Sequence, residues 1–183
     1  ALALIPFKGS QLFMIYVLIG MMVPGEATIV PLFITVKDLK LIDSYAGMIL
    51  PSIAGSMNLI IMTTFFKGLP RELIEATEID GGGKLTVFFK IVMPLSKSII
   101  ATICIFSFVG SWNNYLWPLI VTNSPTNRTL TVGLAIFAKS KEANMQWANV
   151  CAAAFIIIVP LLLAFLVAQK QFMSSFVNAG IKE

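Results

Sequence analysis

The sequence predicts an all-α integral membrane protein with four membrane-spanning helices. Of the 183 residues, 57% are hydrophobic and only 12% are charged. A soluble domain carries roughly a quarter charged residues. The apolar residues are concentrated in four stretches of at least 20 residues, which is about the length that a helix needs to cross the hydrocarbon core of a bilayer. The predicted spans are residues 11–35, 45–66, 98–121 and 147–168.

Proline and glycine interrupt several of these stretches. In lipid, a broken backbone is tolerated only against protein or a water-filled cavity. The interruptions therefore favour packed helices that line a pathway over simple membrane anchors. The interrupting residues are Pro24, Gly25 and Pro31 in the first stretch, Pro51 and Gly55 in the second, and Pro160 in the fourth.

Composition also excludes several classes of function. The net charge is +4, but Lys and Arg occupy short segments between apolar stretches. This distribution favours a membrane protein over a nucleic-acid-binding protein. Histidine is absent, which removes most zinc sites. Cys104 and Cys151 lie in apolar stretches and are predicted to be buried small hydrophobes. We expect no metal, no cofactor and no catalytic residues. The chain opens with Ala1 inside an apolar phrase, and we expect that it lacks its natural start.

The distribution of basic residues predicts which segments face the cytoplasm. The long segment between the second and third spans carries five of them, and placing it in the cytoplasm leaves eight basic residues on that side and five on the other. Positive charge is enriched on the cytoplasmic side of membrane proteins. The expected topology therefore puts residues 68–94 and the C-terminus in the cytoplasm.

The segment 67–97 is predicted to form two short helices around a glycine elbow. Pro70 suits a helix start, and Glu72 suits the first turn, where negative charge is favoured. Gly81 is placed to end the first helix in a left-handed conformation. A second amphipathic stretch, 85–93, leads to Pro94. Because the polar face of the first helix is acid-rich, a groove in a protein partner fits it better than a lipid surface.

The glycines at 81–83 also invite a nucleotide-binding interpretation. The phosphate-binding loop requires Gly five residues before its Gly-Lys pair and Ser or Thr directly after it. Position 78 is Glu and position 85 is Leu. The sequence therefore predicts that this chain does not itself bind ATP.

The same segment resembles the cytoplasmic loop motif of binding-protein-dependent ABC importer permeases. That motif has the form E-A-A, two residues, D-G, and then F, I and P at fixed distances. The chain departs from it at Thr77 and Gly82, where Ala is usual or common. The matching residues are Glu75, Ala76, Asp80, Gly81, Phe88, Ile91 and Pro94.

The resemblance extends beyond the loop. Residues 21–33, 110–121 and 169–183 resemble the third helix, fifth helix and C-terminal tail of the MalG-like carbohydrate branch. This resemblance implies a MetI-like helical bundle of which four helices, the C-terminal part of a six-helix core, are present. It also implies that residues 68–94 hold the coupling helix, with the seven matching residues docking the ATPase.

The resemblance implies partners and a location. The partners are a cytoplasmic ABC ATPase dimer, a second homologous permease subunit, an extracytoplasmic solute-binding protein and membrane lipid. The location is the bacterial inner membrane. The implied function is passage of a sugar or oligosaccharide, and an ABC permease for a phosphorylated polyol or a peptide is the alternative. A secondary transporter offers no role for the loop, and no nucleophile–base pair supports an enzyme.

Two further groups are candidates for the substrate pathway. Glu26 is the sole carboxylate inside a predicted span, so it either lines the pathway or lies neutralised near a membrane end. Asn113 and Asn114 lie in an aromatic cluster with Trp112, Tyr115 and Trp117. These residues contact sugar hydroxyls, or they form an interfacial belt with helix-packing amides. The residues themselves leave both alternatives open.

Overall fold

A computed structural model describes residues 2–5, 7–139 and 147–180, and all regular elements in these ranges are helical. Eleven α-helical segments follow one another here: α1 (Ser10–Met22), α2 (Gly25–Asp38), α3 (Tyr45–Ile49), α4 (Ser56–Lys67), α5 (Arg71–Ile79), α6 (Lys84–Val87), α7 (Met93–Leu95), α8 (Lys97–Asn113), α9 (Leu116–Val121), α10 (Leu130–Ala138) and α11 (Trp147–Gly180). A π-helical turn, Phe88–Val92, joins α6 to α7.

The helices are broken at two of the predicted interruptions and continuous at two others. The first stretch is divided between Met22 and Gly25, and the second is divided before Ser56. Pro31 and Pro160 instead lie inside continuous helices, α2 and α11. A membrane helix tolerates an internal proline because neighbouring groups satisfy the freed carbonyls.

One helical segment, Trp147–Val167, is long and apolar enough to cross a membrane alone. Three further pairs of consecutive helices pass the same test only if each pair counts as one broken span, which gives up to four spans in the described residues. The third of these pairs joins Lys84–Leu95 to Lys97–Asn113, with a bend of 72°. It begins earlier in the chain than the predicted span 98–121. The four predicted span boundaries remain predictions.

The described residues form two compact units. One comprises residues 2–22, 55–104 and 168–180, and α1 packs against α4 within it. The other comprises residues 23–54 and 105–167, and α2 and α3 pack against α9 within it. A small core of Val36, Trp117 and Val121 holds the second unit together.

Gly47 explains how α3 approaches this core. A Cβ at position 47 would overlap the carbonyl oxygen of Leu41, so the close contact requires glycine. The indole N–H of Trp117 donates to the Gly47 carbonyl at 3.2 Å, which satisfies the polar atom of a buried ring. The sequence alone leaves Trp117 open between a sugar contact and a packing residue, and in this structure it is a core residue.

Many large hydrophobic side chains remain exposed on α1 and α11. Soluble monomers rarely expose continuous apolar surfaces of this kind, whereas lipid covers them at no cost. Cys104 and Cys151 are also exposed free thiols, so the prediction that they are buried is wrong for the chain alone. Both lie on apolar helices, and the sequence could not separate burial in protein from exposure on a lipid-facing surface.

Candidate functional site

The candidate site begins with α5, a helix of nine residues. Pro70 lies immediately before the helix, with φ −59° and ψ 124°, and the first helical residue is Arg71. Proline cannot donate an N–H, and a helix start requires no such donor. Glu72 lies in the first turn, where its negative charge is favoured by the helix dipole. The predicted start is therefore correct to within one residue.

Gly81 ends α5 in the way that its position predicts. Its φ is +81°, in the left-handed region that glycine adopts without strain. The N–H of Gly81 donates to the Glu78 carbonyl at 3.1 Å, and the N–H of Gly82 donates to the Thr77 carbonyl at 2.9 Å. These two bonds form a Schellman motif, which satisfies carbonyls that a helix end otherwise leaves unpaired. The elbow is therefore a defined turn.

The outward face of α5 carries both charge and apolar surface. Glu75 and Ala76 are exposed, as are Asp80 and Gly81 at the helix end. Large apolar side chains beside them are also exposed: Ile79 by 86% and Leu85 by 74%. Because these two residues flank the elbow, the helix end offers a partner both polar and apolar contacts.

The inward face of α5 lines a cavity of about 250 Å³ within the same unit. Ile74 lines it from α5, and Val87, Phe88 and Val92 line it from the following segment. Val87 and Val92 are buried, whereas Phe88 is still 39% exposed. Phe88 therefore contributes both to the support of α5 and to the outer surface.

Pro94 provides a cause for the π-helical turn that precedes it. A proline inside a helix removes one backbone donor, and its ring pushes away the carbonyl of the preceding turn. The N–H of Met93 donates to the Phe88 carbonyl, five residues back, which is the π-helical pattern. Ile91 lies half-buried within this turn, and Pro94 is exposed. The sequence predicted an amphipathic stretch here but not its widened turn.

The glycines of the elbow do not form a phosphate-binding loop. The residues before Gly81 are the helix α5, whereas a phosphate-binding loop follows a strand. Gly83 is the residue before α6, with φ −75°. The local backbone therefore agrees with the sequence prediction on this point.

The candidate pathway residues lie in the second unit, whereas the loop 68–94 belongs to the first. Glu26 is exposed in the first turn of α2. Asn113, at the end of α8, donates its side-chain N–H to the Val109 carbonyl of its own helix at 3.0 Å. Asn114 is half-buried at the break between α8 and α9. Their assignment to a substrate pathway remains a prediction.

Trp112 joins α8 to α11. Its indole N–H donates to the Ile157 carbonyl at 3.1 Å. Pro160 lies three residues further along the same helix. The Trp112 contact therefore stabilises a proline-containing helix, which is a packing role.

Asp43 organises a loop that the sequence analysis did not single out. One of its carboxylate oxygens accepts the backbone N–H groups of Asn123 at 2.9 Å and Ser124 at 3.1 Å, together with the Ser124 hydroxyl. The Asn127 side chain donates to the Asp43 carbonyl. The bonds from the Asn123 and Ser124 backbone N–H groups lower the pKa of Asp43 to about 2. Asp43 has a φ of +57°, which Asp tolerates better than most residues. Ser44, the next residue, caps the N-terminus of α3 by accepting the Gly47 N–H. An Asp beside this cap was the only feature of the sequence that pointed to the loop.

Comparison with known proteins decides the family. The profile of the family described as "Binding-protein-dependent transport system inner membrane component" matches residues 1–174. The chain belongs to this family. The prediction made from the loop motif is thereby confirmed, as is the all-helical fold class.

The curated relatives are transport permease proteins. The chain is 36% identical over 182 residues to the arabinooligosaccharides transport system permease protein AraQ of Halalkalibacterium halodurans. It is 37% identical over 181 residues to the protein of the same name from Bacillus subtilis. It is 34% identical over 173 residues to the sn-glycerol-3-phosphate transport system permease protein UgpE of Yersinia pestis. The alignments cover 100%, 99% and 94% of this chain, but only 64%, 64% and 62% of the relatives.

A solved structure agrees with the family fold. It is described as the crystal structure of a bacterial ABC transporter involved in the import of the acidic polysaccharide alginate. One of its chains matches with a TM-score of 0.80 and 24% identity, over 92% of this chain and 64% of that chain. This likeness supports the fold. The chain spans less than two thirds of the length of the relatives that it matches.

Proposed function

We propose that this family member is part of the permease subunit of an ATP-binding-cassette importer, which passes a sugar or oligosaccharide from an extracytoplasmic binding protein into the cytoplasm. The observation that carries the proposal is the exposed end of α5 with its Schellman turn at Gly81. A short helix with a fixed end and exposed apolar neighbours suits insertion into a groove of a partner. The AraQ relatives, which are named for arabinooligosaccharide transport, support the sugar class.

In this proposal the chain performs no chemistry of its own. ATP is hydrolysed by a separate cytoplasmic ATPase dimer, and Glu75, Ala76, Asp80, Gly81, Phe88, Ile91 and Pro94 form the docking segment. A second homologous permease completes the pathway, with Glu26, Asn113 and Asn114 as its candidate lining residues here. Residues 68–94 and the C-terminus face the cytoplasm of a bacterial cell.

A second candidate substrate is a phosphorylated polyol. The relative UgpE, 34% identical, is named for sn-glycerol-3-phosphate transport. The docking segment serves either substrate equally, because coupling to an ATPase does not depend on the solute.

The test places a large side chain on the exposed surface of α5. Ala76→Trp in the full-length subunit should abolish retention of the ATPase during purification of the complex, because the indole would fill the space of the partner groove. Ala138 is a matched control, since it is also exposed and helical. Ala138→Trp should retain the ATPase. Full retention by Ala76→Trp would contradict the proposed docking surface.

A further inference from the structure

A second cavity, of about 470 Å³, lies in the unit that contains residues 23–54 and 105–167. It is bordered by the start of α3, the end of α8 and the segment that leads into α10. Small-molecule sites typically enclose roughly 300–1,000 Å³. The cavity is therefore large enough for a single sugar or polyol unit, and neither the loop motif nor the pathway residues use it.

One side of this cavity is aromatic. Tyr45, Phe108 and Trp112 line it, and the rings of Phe108 and Trp112 lie 5.4 Å apart. The indole N–H of Trp112 is already bound to the Ile157 carbonyl. The part of Trp112 that remains for a ligand is therefore its ring. The C–H faces of sugars and polyols pack well against such rings.

The lining of the cavity also carries positive charge. Arg128 lines the cavity and is exposed, and its guanidinium donates to the neutral carbonyl of Asn123 at 3.3 Å. In the part of the chain that the structure describes, no carboxylate forms an ion pair with Arg128. A guanidinium with free donors binds carboxylate and phosphate groups strongly.

The N-terminus of α10 adds to this charge. α10 has nine residues and begins at Leu130, and Leu130 and Thr131 both line the cavity. The backbone N–H groups of a first turn have no acceptor within their own helix, and this end of the helix dipole is positive. The Thr129 hydroxyl accepts the Val132 N–H at 3.4 Å. Arg128 and the first two residues of α10 thus border one cavity.

The Asp43 carboxylate binds the loop that precedes Arg128 and does not line the cavity. One of its oxygens is bound by the Asn123 and Ser124 N–H groups and the Ser124 hydroxyl. These bonds hold the loop from which Arg128 projects. Asp43 therefore fixes the position of the cationic side of the cavity.

We infer that this cavity binds a sugar or polyol that carries one anionic group, a phosphate or a carboxylate, with the anion at Arg128 and the first turn of α10 and the carbon skeleton on the aromatic side. The inference deepens the proposed function, since it assigns an anionic class of transported solute. Ser111 and Thr131 line the same cavity. The Thr131 hydroxyl donates to the Trp112 carbonyl at 2.8 Å and can therefore only accept from a ligand hydroxyl, whereas the Ser111 hydroxyl can donate or accept.

The test measures direct binding to the full-length subunit in nanodiscs of phosphatidylcholine, without ATPase or binding protein. The probes are glucose 1-phosphate, glucuronate, glucose and inorganic phosphate, in equilibrium dialysis. Glucose 1-phosphate or glucuronate should bind saturably and at least tenfold more tightly than glucose. Arg128→Gln should weaken this binding at least tenfold, and Arg128→Lys should retain part of it. Lys139→Gln, which removes an exposed cation beyond the far end of α10, should change the Kd by less than twofold.

A second variant tests the aromatic part of the cavity. Phe108→Leu should weaken binding of glucose 1-phosphate about fivefold and leave inorganic phosphate unchanged. Equal affinity for glucose 1-phosphate and inorganic phosphate would show a phosphate site only and would overturn the inference. So would absence of saturable binding of both anionic probes, or equal Kd values for Arg128→Gln and the parent.

A phospholipid headgroup is the competing source of phosphate. If phosphatidylglycerol added to the nanodiscs displaces the sugar phosphate and Arg128→Gln abolishes lipid binding instead, the site belongs to lipid and the inference is overturned. Because this assay contains no ATPase, its failure leaves the Ala76→Trp docking test standing. A failure of that docking test likewise leaves the binding result interpretable.

Discussion

The backbone N–H of Gly82 donates to the carbonyl oxygen of Thr77 at 2.9 Å, and a Cβ at position 82 would lie 2.8 Å from both that oxygen and the Thr77 γ-methyl group. These are the two positions at which the loop departs from the motif that it resembles. The two departures are in contact: Thr77 is larger than the usual Ala, and it lies against Gly82, which is smaller than the common Ala. The Thr77 hydroxyl donates to the Leu73 carbonyl at 2.8 Å, which fixes the side chain.

Gly82→Ala should loosen the end of α5. The added Cβ forces either the Thr77 side chain or the backbone to move, and we expect a local cost of about 1 kcal/mol, or roughly fivefold faster amide exchange at position 82. Thr77→Ala combined with Gly82→Ala should recover part of the protection, since the γ-methyl contact is lost but the backbone contact remains. Gly83→Ala is the control, because a Cβ added at position 83 would meet nothing within 4 Å. Equal exchange in Gly82→Ala and Gly83→Ala would contradict this account.

The Asp43 loop should lose order in acid. The pKa of Asp43 in the folded chain is about 2, below its ordinary value of 3.8, so the ionised form is favoured by folding. The stabilising effect is fully present above about pH 4 and is lost as pH falls through 2. We expect the amides of Asn123 and Ser124 to lose protection across this range, relative to the same amides in Asp43→Asn. If the ratio of the exchange rates of these amides in the parent and in Asp43→Asn stays constant from pH 5 to pH 2, the carboxylate does not hold the loop.

Glu26 should affect transport without affecting assembly. It is exposed in the first turn of α2, and a charge at a pathway would contact a passing solute or its water. Glu26→Gln in the reconstituted complex should lower uptake several-fold while ATPase retention stays normal. Asp38→Asn, at the other end of α2, is the control and should transport normally. Normal uptake by Glu26→Gln would remove Glu26 from the pathway.

The topology can be tested by labelling from outside the cell. Cys104 and Cys151 are exposed thiols and must first be replaced by serine. A membrane-impermeant maleimide should then label Lys139→Cys and fail to label Glu78→Cys, because residues 68–94 are proposed to be cytoplasmic. Both positions are exposed helix-end residues, so reactivity alone does not distinguish them. The reverse labelling pattern would refute the topology.

The sequence predicted those features that depend on local chemistry. Pro70, Glu72 and Gly81 each favour one backbone conformation, so the start and the end of α5 could be placed within one residue. The two family departures, Thr77 and Gly82, were visible in the sequence, but their mutual contact was not. That contact depends on the geometry of the turn between them.

Features that depend on residues far apart in the chain were missed. Asp43 meets Asn123 and Ser124 across some 80 residues, and nothing in either segment indicates the other. The helix α10 lies in the segment between the third and fourth predicted spans, because its nine residues are too few to suggest a span. The cavity beside Arg128 follows from both, since it requires that loop and that helix together.

The proposed function requires that the turn at Gly81 transmit movement between the ATPase and the permease. Gly81 has a φ of +81°, where a β-branched residue is strained by more than about 1 kcal/mol, whereas Gly83 has an ordinary φ of −75°. A Cβ added at either position would meet no atom within 4 Å, so backbone conformation is the difference between them. The pair Gly81→Val and Gly83→Val therefore separates the turn from the added bulk.

The decisive measurement is uptake and ATP hydrolysis, taken together, for both variants reconstituted with the ATPase, the second permease and the binding protein. Gly81→Val should insert normally, lose at least tenfold in uptake, and either release the ATPase or hydrolyse ATP independently of substrate. Gly83→Val should keep most of its uptake and its coupled hydrolysis. Parental uptake by Gly81→Val, with hydrolysis still dependent on substrate, would contradict the account.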